Sequence, residues 1–553
     1  MPAPDSASSA PPDAEPFDTA STRTLLAFLV ACHLAQAVWI VVVDRSWPYL
    51  MTHQLYMDGR HLHETLAAPD VSWYGRTPQG LWPLVDVTFP WPPLVPLSTH
   101  LASNALGGVS RQSAAAGVVP WIAVLLVATY RLGRQLAGRR TGLLAALLVG
   151  SYPIVLGHRT MATPFLMLAA QIAALAGAIR HLDHHPTWGA RLEVGLWAGL
   201  AMLTRLEAPV HLAAVVTVAL ATSADRARRR RLFENLAWSA CVAAVVAGWW
   251  YLPNGWGALA FYKAEGLFAS EVVQDQVSRI SVKNLLYYPN RLVQVMLGLP
   301  MAALAVGSAV YAVRHRLAGA RACVAWVLLA WVFFLIVPMK GGRYLLPLVP
   351  PLAVCTAVVA RNLAQRGARR LEPALAVFAV IHWLGLVHAP GMEVWYPAAG
   401  HRPERWGPSF MLYEDALDVG RLQAWTSPAW DEPIERLARA IDRYAARRGL
   451  DVPTVAIADE VAEYVYPIVQ IRRLGLVEPR ILGIVPPPYE ERRARYAEQV
   501  ARADLLVLTL THTRPEQRRD RLKTEVMAAD AAGRVELARV TLPDGGQAIL
   551  RGR

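Results

Sequence analysis

A chain of 553 residues that is 54% hydrophobic, with a mean hydropathy of +0.28, carries more apolar surface than a soluble domain tolerates. Its formal charge of +13 comes almost wholly from arginine. Those arginines gather in short loops between apolar runs, so membrane orientation explains them better than nucleic-acid binding does, and the composition excludes a soluble enzyme.

Residues 1–23 are rich in Pro, Ser, Ala and Asp and lack the basic start of a signal peptide; they are expected to form a disordered cytoplasmic tail. An uncleaved first membrane helix follows over 24–43. Further apolar runs lie at 116–136, 141–158, 161–180, 192–207, 209–223, 236–253, 289–313, 322–338, 343–360 and 372–389. Most approach the length that crosses a bilayer core, so about eleven spans are expected. The runs at 192–207 and 209–223 are short enough to be broken or re-entrant.

With the N-terminus in the cytoplasm, "RLGRQLAGRR", "RARRRR", "RHRLAGAR" and "RNLAQRGARR" all fall inside, as the distribution of Lys and Arg requires. Two long loops, 44–115 and 254–288, then face outward. The first is crowded with Trp, Tyr, His and Pro, which suits the headgroup level. Residues 24–389 therefore form the transmembrane domain.

Beyond residue 389 the composition turns polar. "TVAIAD", "RILGIV" and "DLLVLTL" predict short buried strands, and "PIERLARAIDRYAARRG" and "EERRARYAEQVARA" predict amphipathic helices. "VELARVTLPDGGQAILRGR" predicts a closing hairpin turning at Asp-Gly. The fold class is thus mainly α and polytopic, with a small α/β domain over 390–553 that an odd number of spans places outside the cytoplasm. Cys32, Cys241, Cys323 and Cys355 all fall in apolar runs, away from any extracytoplasmic disulfide and without a CxxC metal pair.

Candidate chemistry lies at the outward ends of the spans. Asp58, in "YMDGRHLHETL", is either a solvated loop acid or a general base toward an acceptor hydroxyl. His61, His63 and Glu64 stand beside it, but two histidines at i, i+2 do not share a helical face, which argues against a metal. Lys340 and Arg343, in "VPMKGGRYLLPLVPPLAV", either snorkel to headgroups or clamp a lipid phosphate, with two glycines allowing close approach. Arg159 ("GHRTMATP") ends another span. Arg205 and Glu207 ("LTRLEAP") either pair with each other or face a substrate. Several ionisable groups on one face of a membrane protein point to a polar site there.

The order of these features resembles the GT-C superfamily of membrane glycosyltransferases, in particular the glycosyltransferase family 39-like branch of protein O-mannosyltransferases and lipid A aminoarabinose transferases. The resemblance is carried by Asp58 in a large first loop, "WPPLVPL" followed by "GGVSRQSA", "GLLAALLVGSYPIVLGHR", "GLAMLTRLEAPV", "YYPNRL" and, most specifically, "KGGRYLLPLVPPLAV", which matches a Lys-x-x-Arg-Tyr-x-Leu-Pro signature. It covers residues 24–360. It implies transfer of a sugar from a polyprenyl-phosphate donor to an acceptor hydroxyl on a glycan, lipid or protein at the outer face of the bacterial inner membrane, with inversion. Asp58 would be the base. Lys340, Arg343, Tyr344, Arg159 and Arg205 would hold the donor phosphate, and His61, His63, Glu64 and Trp91 would meet sugar or acceptor. No metal and no cofactor are expected.

The chain departs from the pattern at three places. Gly59 follows Asp58 where many relatives have a second acid. Thr163 and Pro164 stand where relatives often place an acid, and Trp91 replaces a His or Tyr. Two other classes remain open. A transporter of lipid-linked sugars would show repeated halves or charges deep in its spans. A non-catalytic envelope scaffold would depend on residues 400–553 and be indifferent to Asp58.

Overall fold

The computed structural model describes residues 19–43, 62, 92–108, 111–158, 164–267, 282–336, 342–388, 428–457, 480–482, 492–511, 521–541 and 547–553. Among these, six helices are long and apolar enough to cross a membrane, and three shorter apolar helices accompany them.

The bundle is assembled from α1 (Thr19–Val43), α2 (Leu94–Ala105), α3 (Arg111–Val118), α4 (Pro120–Ala137), α5 (Arg139–Ser151), α6 (Pro153–His158), α7 (Pro164–His184), α8 (Trp188–Met202), α9 (Ala208–Thr222) and α10 (Arg226–Leu267). It continues with α11 (Val282–Arg291), α12 (Leu299–Arg314), α13 (Ala318–Ile336), α14 (Val349–Gln365) and α15 (Leu371–His388). The small residues of "AAQIAALAGA" and "LAVCTAVVA" bury α7 and α14 almost entirely, 83% and 94% of their apolar windows, whereas only 17% of the window in α10 is buried. Inside a membrane, where lipid is as apolar as leucine, small side chains let helices approach and gain packing, so α7 and α14 form the interior and α10 the rim. Trp383 closes the bundle by joining its last helix to its first. The indole Nε1–H donates to Gln36 Oε1 (2.7 Å), and the ring stacks on His33 with centroids 4.3 Å apart.

Three expected spans are broken, each for a local reason. The run 141–158 divides at Tyr152, whose extended backbone precedes Pro153; α5 ends and α6 starts anew. The run 289–313 becomes the end of α11, a π-helical turn Leu292–Leu297 and α12, separated by Gly298 at φ +76, a conformation glycine adopts without strain. The run 343–360 begins with a 3-10 segment, Gly342–Leu348, before α14 starts with Pro350 in its first turn. In the opposite sense, the "RARRRR" loop is helical: it forms the opening turns of α10. With 42 residues, α10 is about 63 Å long at the α-helical rise. A straight path across a hydrocarbon core of about 30 Å leaves part of it outside.

The C-terminal residues form α16 (Pro428–Arg448), β1 (Thr454–Ile457), β2 (Arg480–Leu482), α17 (Arg492–Arg502), β3 (Leu505–Thr511), α18 (Arg521–Ala531), β4 (Val535–Thr541) and β5 (Gln547–Gly552). The sheet order is β2-β1-β3-β5-β4, with β1 parallel to β2 and β3, and β5 antiparallel to β3 and β4. Strand alternation divides the apolar residues between two faces. Val455, Leu505 and Val507 pack with Leu437, Ile441 and Tyr444 of α16, while Ala456, Leu506 and Leu508 pack with Val500 and Met527. Buried Arg534 ties the second layer down, donating to the carbonyls of Val500, Ala503 and Asp504 and pairing with Asp530. All four cysteines are free thiols.

Candidate functional site

The segments that border the two long loops and the signature turn meet at one end of the bundle. The Leu94 N–H at the start of α2 donates to the Leu203 carbonyl (2.9 Å), bringing "PPL" beside the connection between α8 and α9. That connection is pinned by Thr204, whose hydroxyl donates to Gln171 Oε1 (2.9 Å), and by Tyr251, whose hydroxyl donates to the Met202 carbonyl (2.9 Å).

Arg205 and Glu207 follow at once. The guanidinium makes a two-pronged pair with the carboxylate, 2.8 and 2.6 Å, and both residues are only 3% exposed. Such a fork satisfies the donors and the acceptors together, which is what permits two charges inside an apolar bundle. The guanidinium also lies 4.6 Å over the ring of Phe165, in the first turn of α7. Phe165 meets Tyr344 edge-on at 5.5 Å. Tyr344, in the 3-10 turn, stacks on Phe334 at 6.0 Å and 12°. Phe334 touches Tyr288 at 6.4 Å and His211 at 5.4 Å. His211 lies four residues beyond Glu207, one helical turn along, so the circuit closes: Glu207, Arg205, Phe165, Tyr344, Phe334, His211. It is built from α7, α9, α13 and the turn before α14. His211 is fully buried in this circuit.

Of the expected site, Arg205 pairs with Glu207 and is linked to Tyr344 through Phe165. Asp58, His61, His63, Glu64, Trp91, Arg159 and Lys340 lie outside the described residues; Arg343 is described as part of the 3-10 turn by its backbone alone. Chain connectivity still bounds them. Trp91 is three residues from Leu94, Arg159 six from Phe165, and Lys340 four from Tyr344. No trio of His, Cys, Asp or Glu arranged to hold a metal occurs among the described residues. Sequence reasoning missed Phe165 and Phe334, because aromatics in apolar runs give no signal of their own. His211 did give one: it is a lone ionisable residue within a span.

The described helices form a bundle followed by a small mixed sheet, an arrangement this chain shares with solved membrane proteins. The crystal structure of ArnT from Cupriavidus metallidurans in the apo state superposes with a TM-score of 0.60 at 18% identity, covering 96% of this chain and 98% of that one. The same protein bound to undecaprenyl phosphate gives 0.58 at 16%, covering 95% and 97%. The arabinofuranosyltransferase AftD from Mycobacteria gives 0.52 at 14%, covering 96% of this chain and 40% of its own. These likenesses show a shared fold. The model of the family described as dolichyl-phosphate-mannose-protein mannosyltransferase matches residues 91–251, a stretch that includes Arg159, Phe165, Arg205, Glu207 and His211. No curated protein matches the chain in sequence.

Proposed function

We propose that the chain is a membrane glycosyltransferase that moves a sugar from a polyprenyl-phosphate donor to an acceptor hydroxyl at the extracytoplasmic face of a bacterial inner membrane. The observation that carries this reading is the buried circuit through Arg205, Glu207 and Tyr344. It joins Arg205 and Glu207 to Tyr344, far apart in sequence, through Phe165, and Arg159 and Lys340 stand six and four residues in sequence from Phe165 and Tyr344. The undecaprenyl phosphate in one ArnT structure and the family match over 91–251 support the same chemistry.

Asp58 takes the proton of the acceptor hydroxyl, on a glycan, lipid or protein, as its oxygen attacks the anomeric carbon with inversion. The bond from that carbon to the phosphate oxygen breaks, and polyprenyl phosphate departs with one more negative charge. Lys340, Arg343 and Arg159 receive that charge, aided by the Tyr344 hydroxyl. Arg205 has a different part from the one its sequence position implied. Its charge is already matched by Glu207, so it holds the Phe165 and Tyr344 rings in place instead of gripping phosphate. His61, His63, Glu64 and Trp91 line the acceptor side, and the 390–553 domain lies outside the cytoplasm above it. Neutralisation of a monophosphate by cations requires no metal ion.

The test is transfer of radiolabelled sugar from a polyprenyl-phosphate donor in isolated membranes. Asp58→Asn, present at wild-type levels, is expected to lose at least a hundredfold in rate, the usual scale for a missing base. Undiminished transfer by that variant removes Asp58 from the mechanism. Export of intact donor without transfer would instead make the protein a transporter.

A further inference from the structure

At the bundle end opposite the aromatic circuit, α8 and α10 carry a different kind of surface. Arg226, Arg229 and Arg231 in the opening turns of α10 are exposed, and no partner is recorded for them among the described residues. The nearby charges are already committed. Arg228 pairs with Asp183 (2.9 Å), Arg230 pairs with Glu234 (2.9 Å), and Asp225 accepts the Arg228 N–H at the start of the helix. The arginine stretch therefore projects a positive field that the described residues leave uncompensated.

Large apolar side chains adjoin it. Trp188 and Trp238 are 60% and 54% exposed and meet edge-to-face at 5.8 Å. Arg191 lies 5.0 Å over the Trp188 ring and donates through Nε to Asn235 Oδ1 (2.8 Å), which holds it in place on this face. Leu192 and Leu196, on the helix that carries Trp188, are exposed as well. Paired indoles next to unpaired guanidinium groups, at the end of a helix too long for the hydrocarbon core, belong at the headgroup level. A soluble acidic protein would match the charge but not the exposed Trp and Leu side chains. A zwitterionic lipid would match those side chains but leave the arginines without net counter-charge.

We propose that the start of α10, with its α8 neighbour, is a binding site for anionic phospholipid. Phosphodiester oxygens are held by Arg231, on the Trp238 side of α10, and by Arg226 and Arg229 around the same helix end, and the glycerol and upper acyl region rests against Trp188, Trp238 and Leu192. The test uses the full chain in nanodiscs made from an equimolar mixture of phosphatidylglycerol and phosphatidylcholine, with the lipids retained after release counted by native mass spectrometry. The wild type is expected to retain phosphatidylglycerol in excess, and raising the salt before release is expected to erase the excess. Arg226→Gln/Arg229→Gln/Arg231→Gln is expected to lower the enrichment by about two orders of magnitude, since each arginine near an anionic surface contributes roughly a fivefold preference and the three multiply. The matching Arg→Lys triple is expected to keep it, and Arg443→Gln/Arg447→Gln, in α16, is expected to leave it unchanged. Equal retention of the two lipids by the wild type overturns the proposal without any variant. So does undiminished enrichment in the Gln triple. Capture of an acidic protein with no lipid preference assigns the face to that partner and overturns it equally.

Discussion

At the scale of single residues, Arg205 and Glu207 are the most demanding pair in the bundle. Each is stable only because the other is there. Removing Glu207 takes the two-pronged carboxylate from a guanidinium in an apolar interior, and breaking a buried pair in this way costs about 3–5 kcal/mol. Replacing both partners by apolar side chains removes the attraction and the desolvation cost together. Glu207→Ala is therefore expected to lower the apparent melting temperature of the detergent-solubilised protein by many degrees. Arg205→Met/Glu207→Leu is expected to restore most of it while leaving sugar transfer impaired. Equal melting of wild type and Glu207→Ala would mean that Arg205 is compensated by something other than Glu207.

At the scale of elements, the contact between α8 and α10 depends on two glycines one turn apart. A Cβ on Gly195 would stand 2.5 Å from the Val242 Cβ and 2.6 Å from the Ser239 carbonyl; one on Gly199 would stand 2.6 Å from the Val246 Cβ. Gly-x-x-x-Gly places both on one helical face and lets the backbones close. Gly195→Ala and Gly199→Ala are each expected to cost about 1–3 kcal/mol through overpacking, seen as a lower melting temperature. Gly248→Ala, in the same partner helix with nothing within 4 Å, is expected to be neutral or slightly stabilising. The element scale also explains what the sequence made legible. Hydropathy located the apolar helices of the described residues, because length and composition decide membrane crossing. Short apolar runs located β1, β2 and β3, and the Asp-Gly turn signal marked the β4–β5 hairpin. Hydropathy did not reveal that Pro153 and Gly298 cut two runs, since an apolar run looks the same whether or not its backbone breaks. Nor did it reveal that "RARRRR" is helical, because charge marks the edge of the bilayer and not the end of a helix. At the site, "TRLE" and "KGGRYLLP" were visible as motifs. Their meeting through Phe165 was not, because a contact such as Phe165 on Tyr344, between residues far apart in the chain, leaves no trace in either segment.

At the scale of the whole molecule, the two ends of the bundle differ in kind. One gathers Arg139, Arg140, Arg228, Arg314 and Arg370, and the other gathers the aromatic circuit and the segments that enter the long loops. If arginine marks the cytoplasm, the circuit faces outward, toward the leaflet from which a flipped polyprenyl-phosphate sugar is reached. An odd number of crossings then puts α16 and the sheet on that same outer side. Single cysteines in a background with Cys32, Cys241, Cys323 and Cys355 changed to Ser report this directly. Leu106→Cys, exposed just after α2, and Ala446→Cys, exposed on α16, are both expected to react with an impermeant maleimide on intact spheroplasts. Asp225→Cys, exposed before the arginine stretch of α10, is expected to react only after permeabilisation. Labelling of Leu106→Cys and Asp225→Cys from the same side would contradict the bundle itself, since α8 and α10 carry the chain from one end to the other. The reverse pattern would keep the bundle but turn the circuit toward the cytoplasm, where the donor and acceptor proposed here are not presented, and the glycosyl-transfer reading would fall while the fold stood. Outward labelling of Leu106→Cys with inward labelling of Ala446→Cys would leave the site in place and change only the parity. One of the short or broken helices, α9 or the α11–α12 pair, would then turn back without crossing.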